Sequence, residues 1–332
     1  MAAAAAAFLV GCGHAPEPIA APPPVPLHLE PLADLAPAAS LSWLVDVHPR
    51  ALALDARLAV PLARVFPDER MNAFARVSGG VDLREADAVV VASYPSSVLM
   101  LARQFVDPKR VETAFRARVV TLEGRVVEGL LSDPRVSITR LWGPTGTERE
   151  QIAIFGVYGV ALERGRFGPL RAAELFAEGR LKRASPALHA QPLSRVAEML
   201  GNAPLRAFAP GPFEGELSRA AGGLLGATTA VGAAAHVVDG AAGKSSGLAV
   251  HAVFLGAWGA EAGAAADRLR AVFDVAAASG IGRLLGLAHC TAGPVVAGSA
   301  EALTLDFTLD ATVLAEGLRA ATGAEVSEIM AP

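Results

Sequence analysis

Cysteine is almost missing from this chain of 332 residues, which holds only Cys12 and Cys290. No cysteine or histidine stands at the spacing of a usual zinc site, so a structural zinc module is excluded. Aromatic residues reach only 5 %, so alanine, valine and leucine supply the apolar bulk. Charge is sparse as well: 19 % of residues are charged and the formal net charge is −4. No basic stripe stands out, which argues against the electrostatic footprint of a nucleic-acid binder. Lysine and arginine are absent between Met1 and Cys12. What is present is apolar: 52 % of residues are hydrophobic and the mean hydropathy is +0.40. Such a composition excludes intrinsic disorder. The length suits about two domains or one large one, and a core that needs no staples.

Residues 2–10 are an uninterrupted apolar run ending Phe8-Leu9-Val10-Gly11-Cys12. The run falls short of the roughly 20 residues that span a bilayer. It matches the apolar region of an export signal, about 7–15 residues long, with small residues before the cut. Leu9-Val10-Gly11-Cys12 resembles the lipobox of bacterial lipoproteins. That resemblance implies cleavage between Gly11 and Cys12, diacylglycerol on the Cys12 thiol and acylation of the new amine. Several acyl chains give stable anchoring where one is marginal. The missing basic residues depart from the pattern and point to a start upstream of Met1. From Gly13 to Ala39 the chain carries Pro16, Pro18, Pro22, Pro23, Pro24, Pro26, Pro31 and Pro37, the composition of an extended, semi-rigid spacer. Gly13 rather than an aspartate follows the cysteine, which by the same resemblance favours an outer-membrane destination. With Cys12 lipidated, Cys290 has no partner for an intrachain disulfide and reads as a small buried hydrophobe.

The expected organisation is a signal peptide at 1–11, a proline-rich tether at 12–40, and two α+β units at 41–190 and 191–332. In the first unit, Pro67 opens a helix that turns Met71 and Phe74 inward and stops at Gly79-Gly80. Asp87–Tyr94 and Val98–Phe105 read as a hairpin across Pro95-Ser96-Ser97. Asp107 caps a helix with Val111, Phe115 and Val119 on one face. Strands over 136–142 and 151–160 and a helix over 169–178 complete the unit. In the second, strands over 228–238 and 248–255 precede a helix carrying Leu269, Val272 and Phe273. Strands over 294–297 and 302–310 follow, and then a helix capped by Asp310. Leu303, Leu305, Phe307 and Leu309 alternate with Thr304, Asp306, Thr308 and Asp310, the clearest period of two in the chain. Both halves thus read strand-strand-helix-strand-strand-helix, a duplicated α+β unit with antiparallel sheets and helices on one face. Leu181–Arg219, with Pro210-Gly211-Pro212, is the natural boundary. A transmembrane hairpin over Ala220–Val238 and Gly247–Ala260 is the alternative there, opposed by its Ala, Gly and Thr content.

The motifs that could carry chemistry are thin. Gly243-Lys244-Ser245 resembles the end of a phosphate loop, but Val238 stands where the first glycine belongs and a strand follows instead of a helix. Gly243-Lys244-Ser245-Ser246-Gly247 spells a nucleophile elbow around Ser245, with Asp274 and His289 later in the chain in triad order. The strand expected after it again gives the wrong context. If the hairpin turns at 240–244, His236 and His251 fall diagonally on one face, with no third metal ligand in sight. Asp82, Glu85 and Asp87 read as a solvated turn. Lys109, Arg110, Arg116 and Arg118 make a mildly basic helix face.

The expectation is therefore a non-enzymatic, lipid-anchored protein of the outer membrane that acts as a binding or scaffold module. It has no cofactor, no metal and no nucleic acid; its partners are the membrane, through Cys12, and a protein of the envelope. Two alternatives remain open. One is an envelope serine hydrolase using Ser245. The other is a carrier with its ligand between the two halves, where pockets commonly form.

Overall fold

The computed structural model describes residues 26–123, 129–132, 138–145, 148–166, 168–181, 183–219, 221–239 and 246–329. Strand β1 (Trp43–Val47) leads into helices α1 (Pro49–Ala53), α2 (Ala59–Val65) and α3 (Asp68–Val77). A hairpin of β2 (Ala88–Tyr94) and β3 (Ser97–Arg103) is followed by α4 (Pro108–Glu123). Then come β4 (Gly129–Ser132), β5 (Ile138–Thr145), β6 (Glu148–Phe155), β7 (Gly159–Gly165), α5 (Pro169–Ala177) and α6 (Leu193–Leu200). The rest comprises β8 (Leu205–Pro210), α7 (Glu216–Arg219), β9 (Thr228–Val238), β10 (Gly247–Gly256), α8 (Ala262–Ala278) and α9 (Gly280–Leu284), then β11 (Ala292–Gly298), β12 (Ala302–Asp310) and α10 (Ala311–Ile329).

All twelve strands join one antiparallel sheet in the order β11-β12-β10-β9-β8-β1-β2-β3-β7-β6-β5-β4. Its middle is the β1–β8 pair, where Leu44 faces Phe208 and Asp46 faces Arg206. Outward from that pair the order is β1-β2-β3-β7-β6-β5-β4 on one side and β8-β9-β10-β12-β11 on the other.

Three expectations about the strands need correction. The chain builds one sheet where two were expected, because β1 and β8 close the gap between the halves. Residues 205–210, taken as boundary, are a strand, β8, and Gly211 N still donates to Thr229 O of β9 at 2.8 Å just past its end. The single strand expected over 151–160 is two: the chain reverses at Gly156 (φ +56°), and Tyr158 N donates to Phe155 O at 3.0 Å. Residues 136–137 and 146–147 lie outside the described residues. The strands expected over 228–238 and 248–255 are present as β9 and β10, which pair with one another, so the alternative of a transmembrane hairpin there falls away. Among the described residues no helix is long and apolar enough to cross a membrane.

Helices cover both faces, not one. On the first face Leu44, Val90, Ala92, Leu99, Leu101, Phe208 and Val253 share a core with α5 and α6. On the second face Val111, Phe115 and Val119 of α4 meet Val89, Leu141, Ile152 and Ile154. On the same face Leu269 and Phe273 of α8 meet Ala252, Leu303 and Leu305. This explains the sequence of β2, Ala-Val-Val-Val-Ala-Ser-Tyr, a continuous apolar run: alternate residues enter opposite cores, so period two vanishes. Asp107 Oδ1 caps α4, accepting from Lys109 N at 3.0 Å and Arg110 N at 3.3 Å. The α3 helix ends where Gly79 adopts φ +78°, and a Cβ there would stand 2.5 Å from Arg110 O on α4.

The body also starts earlier than expected. Leu29, Leu32, Ala33, Leu35 and Ala36, counted with the tether, are buried in the first core. Proline permits this because it removes a donor that burial would otherwise have to satisfy. Two donors of the segment bond to the body of the protein: His28 N meets Ala177 O at 2.8 Å and Ala38 N meets Ser185 O at 3.0 Å.

Tyr94 ties this segment to the sheet, donating to Pro37 O at 3.0 Å. Burial, and then the Glu163 carboxylate, hold its phenol neutral well above the usual range. A folded value raised in this way leaves stability intact below the ordinary phenol value of about 10 and erodes it as pH rises beyond. Tyr94→Phe is expected to cost about 1 kcal/mol at neutral pH through the lost hydrogen bond. It should also flatten the alkaline loss of stability, as measured by urea unfolding across neutral and alkaline pH. An alkaline slope identical to that of the parent would refute the assignment.

Candidate functional site: a polar row on the first face

Charged side chains stand at core-facing positions in the middle of the sheet. In β1, Trp-Leu-Val-Asp-Val, Asp46 shares parity with the buried Leu44, so its carboxylate faces the first layer of helices. In β8, Leu-Arg-Ala-Phe-Ala-Pro, Arg206 shares parity with the buried Phe208. The antiparallel register sets the two directly opposite. Arg206 Nη2 donates to Asp46 Oδ2 at 2.5 Å, and Nη1 to Gly201 O at 3.3 Å. The Asp46 side chain is 4 % exposed and that of Arg206 14 %. A pair so desolvated is retained only with good geometry and further partners. His48 is one neighbour: its Nε2 lies 3.9 Å from Asp46 Oδ1, and its Nδ1 lies 3.0 Å from Asp87 O.

These groups line a cavity of about 370 Å³ together with Glu30, Pro31, Leu32, Ala88 and Arg103. Arg103 ends β3 on the same face and is bridged by Glu30. Close by, Asp34 Oδ1 and His189 Nε2 lie 3.1 Å apart. Burial lifts the Asp34 carboxyl above its ordinary value, against the pull of His189 and Arg206.

Along the same register, beyond the buried Ala234, lies a second polar group. His251 faces Ala234 on β9 and Asp306 on β12. Its Nδ1 lies 2.6 Å from Asp306 Oδ1, a cross-strand pair like that of Asp46 and Arg206. His236 faces Ala249, two positions along. His236, His251 and Asp306 all line a shallow cavity of about 210 Å³. From Arg103 on β3 to Val295 on β11 the row crosses eight strands, about 34 Å at the usual strand spacing.

The structure thus puts His236 and His251 beside one another. Among the described residues no group of three or more His, Cys, Asp or Glu is placed to hold a metal. Gly11, Cys12 and the whole of Gly243-Lys244-Ser245 lie outside the described residues. Asp274 on α8 and His289 in the turn before β11 are both exposed. Cys290 is half-buried, and burial raises its thiol above the ordinary value, which keeps it in the unreactive form. Asp82 accepts from Arg84, which also reaches Asp68 and Asn72 and so ties α3 to the turn before β2. The basic face of α4 is partly neutralised: Arg116 pairs with Glu112, and Arg118 with the buried Glu150 at 2.5 Å.

Sequence reading overlooked Asp46, Arg103 and Arg206. The available signal was a charge at the same parity as large apolar residues within a short strand. Comparison with protein-family models, curated proteins and solved structures found no match for this chain.

Proposed function

We propose that this chain is a lipid-anchored protein of the bacterial envelope whose body is a binding module. In this reading it is cut between Gly11 and Cys12 and held in the outer membrane through acyl chains on Cys12. The lipobox-like tetrad and the proline-rich stretch after it support the anchor. The body is read as two copies of one strand-strand-strand-helix-strand-strand-helix unit, and the matching strand order on either side of β1–β8 supports duplication. The first copy carries β4 and β5 in addition, and α1 to α3 between its first two strands.

The observation that carries the binding function is the cavity at the β1–β8 junction, where the halves meet. Ion pairs inside a sheet cost desolvation that apolar residues would not, and meeting points of domains are common ligand sites. This favours a small-ligand carrier over a scaffold that uses only its outer surface. A protein partner in the envelope is the second reading, and a hydrolase at Ser245 the third.

The anchor is tested by expressing the chain in a Gram-negative host. The parent should sediment with membranes and carry acyl mass on Cys12. Cys12→Ser should abolish lipidation and cleavage and leave the protein without that acyl mass. A retained Met1 with an unmodified Cys12 in the parent would refute the anchor.

A further inference from the structure

We propose that the cavity at the β1–β8 junction takes a small carboxylate with a short apolar body, and that Glu30 competes internally for one of its two arginines. The proposal rests on the binding-module reading and names the ligand class of the same site.

Two guanidiniums line this one cavity. Each has an Nε–H that is buried and meets no acceptor. A buried donor without an acceptor carries a desolvation cost; both atoms are closed to solvent in this conformation, and a planar carboxylate that takes the place of Glu30 on Arg103 can pair with its Nη–H and Nε–H together. The two arginines are held differently. Arg206 is committed to Asp46, whose side chain is 4 % exposed. Arg103 is bridged by Glu30, whose side chain is 77 % exposed. The Glu30 carboxylate itself is solvated and loses little by leaving for water, while the half-buried Arg103 needs a replacement charge, which the ligand's carboxylate supplies.

Charge balance sets the ligand's valence. With Glu30 in place, Arg103 and Arg206 are offset by Glu30 and Asp46. With Glu30 swung out, Asp46 is the one carboxylate left among the residues lining the cavity, Asp34 nearby being in contact with His189, and one anionic charge in the cavity restores balance. Pro31, Leu32 and Ala88 supply apolar wall. The volume of about 370 Å³ lies at the small end of ligand pockets. A monocarboxylate with a compact apolar body fits that chemistry better than phosphate, whose second charge and tetrahedral oxygens the walls do not answer.

The test is calorimetric titration of the full-length chain with benzoate, acetate and inorganic phosphate at constant ionic strength set by chloride. Benzoate should bind better than acetate, and phosphate least. Glu30→Gln should bind benzoate about two- to fivefold tighter, the worth of one exposed ion pair. Arg103→Lys keeps the charge but not the fork, and should lose at least tenfold in affinity with an unchanged melting curve. Arg103→Gln should abolish binding. Equal affinities in the parent, Glu30→Gln and Arg103→Lys would overturn the proposal, as would phosphate binding above benzoate or no benzoate heat at all. The anchor on Cys12 would stand in each of those cases, so the two failures are separable.

Discussion

Replacing Glu163 with alanine is expected to cost about 4 kcal/mol, since buried donors to a charged group would lose their acceptor together. Glu163 is fully buried on β7, on the first face of the sheet. Oε2 accepts from Gln151 Nε2 at 2.6 Å and from Leu170 N at 2.9 Å, and Oε1 from Gly168 N at 3.1 Å. Two of those donors are backbone N–H groups at the start of α5. The residue before that helix is Gly168, which has no side chain to cap it, and Pro169 opens the first turn. The cap therefore comes from the neighbouring strand, as a carboxylate at the positive end of the helix. Glu163→Gln keeps the volume but turns an NH2 toward groups that are themselves donors, and should cost about 2 kcal/mol. Urea unfolding followed by circular dichroism measures both, with a lower midpoint and an unchanged slope. A loss under about 1 kcal/mol for alanine would mean the helix start is satisfied some other way.

That cap shows where sequence reading stops. Local features were legible. Asp107 before Pro108 marked the start of α4, and Val111, Phe115 and Val119 are buried as their spacing predicts. Asp310 caps α10, accepting from Thr312 N and Val313 N at 2.8 and 3.1 Å. The alternation of β12 placed Leu303 and Leu305 inward and Asp306 on the other face. All these signals lie within one turn or one strand. The cap on α5 lies five residues before the helix, on another element, and no capping rule looks there.

The middle of the sheet was illegible for a related reason. Strand β1 has five residues, one of them aspartate, and strand β8 ends in Pro210-Gly211-Pro212. Each looks poor alone. They pair over four residues, with Leu44 against Phe208 in the core and Asp46 against Arg206 beside them, 160 residues apart in sequence. The two halves therefore share one sheet where the sequence reads as two. Sheet continuity rests on a long-range pairing that no local pattern encodes. The same blindness hid the candidate site, because Arg103, Asp46 and Arg206 come from three strands.

Removing one member of the Glu174 cluster tests how far this buried charge is structural. Glu174 on α5 is 1 % exposed; both oxygens meet the Arg140 guanidinium, and Arg171 Nη1 adds a contact of 2.8 Å. Desolvation, and then the charge of Arg171, lower the Arg140 value from its ordinary one. Both effects penalise the guanidinium's charge; Glu178 opposes them through its charge, and the Glu174 carboxylate is the group in direct contact. Glu174→Ala would leave two like charges facing each other beside the core, at an expected cost of about 3–5 kcal/mol. Much of that should return in the double variant Arg140→Met, Glu174→Leu, because an apolar pair of similar volume carries no desolvation penalty. Comparing the single and double variants by urea unfolding gives the coupling directly. If the double variant is no more stable than Glu174→Ala, the cluster does more than balance its own charge. The loss should also change little with added salt, since buried pairs are poorly screened. A salt-sensitive loss would place the cluster in contact with solvent and reduce it to a surface pair.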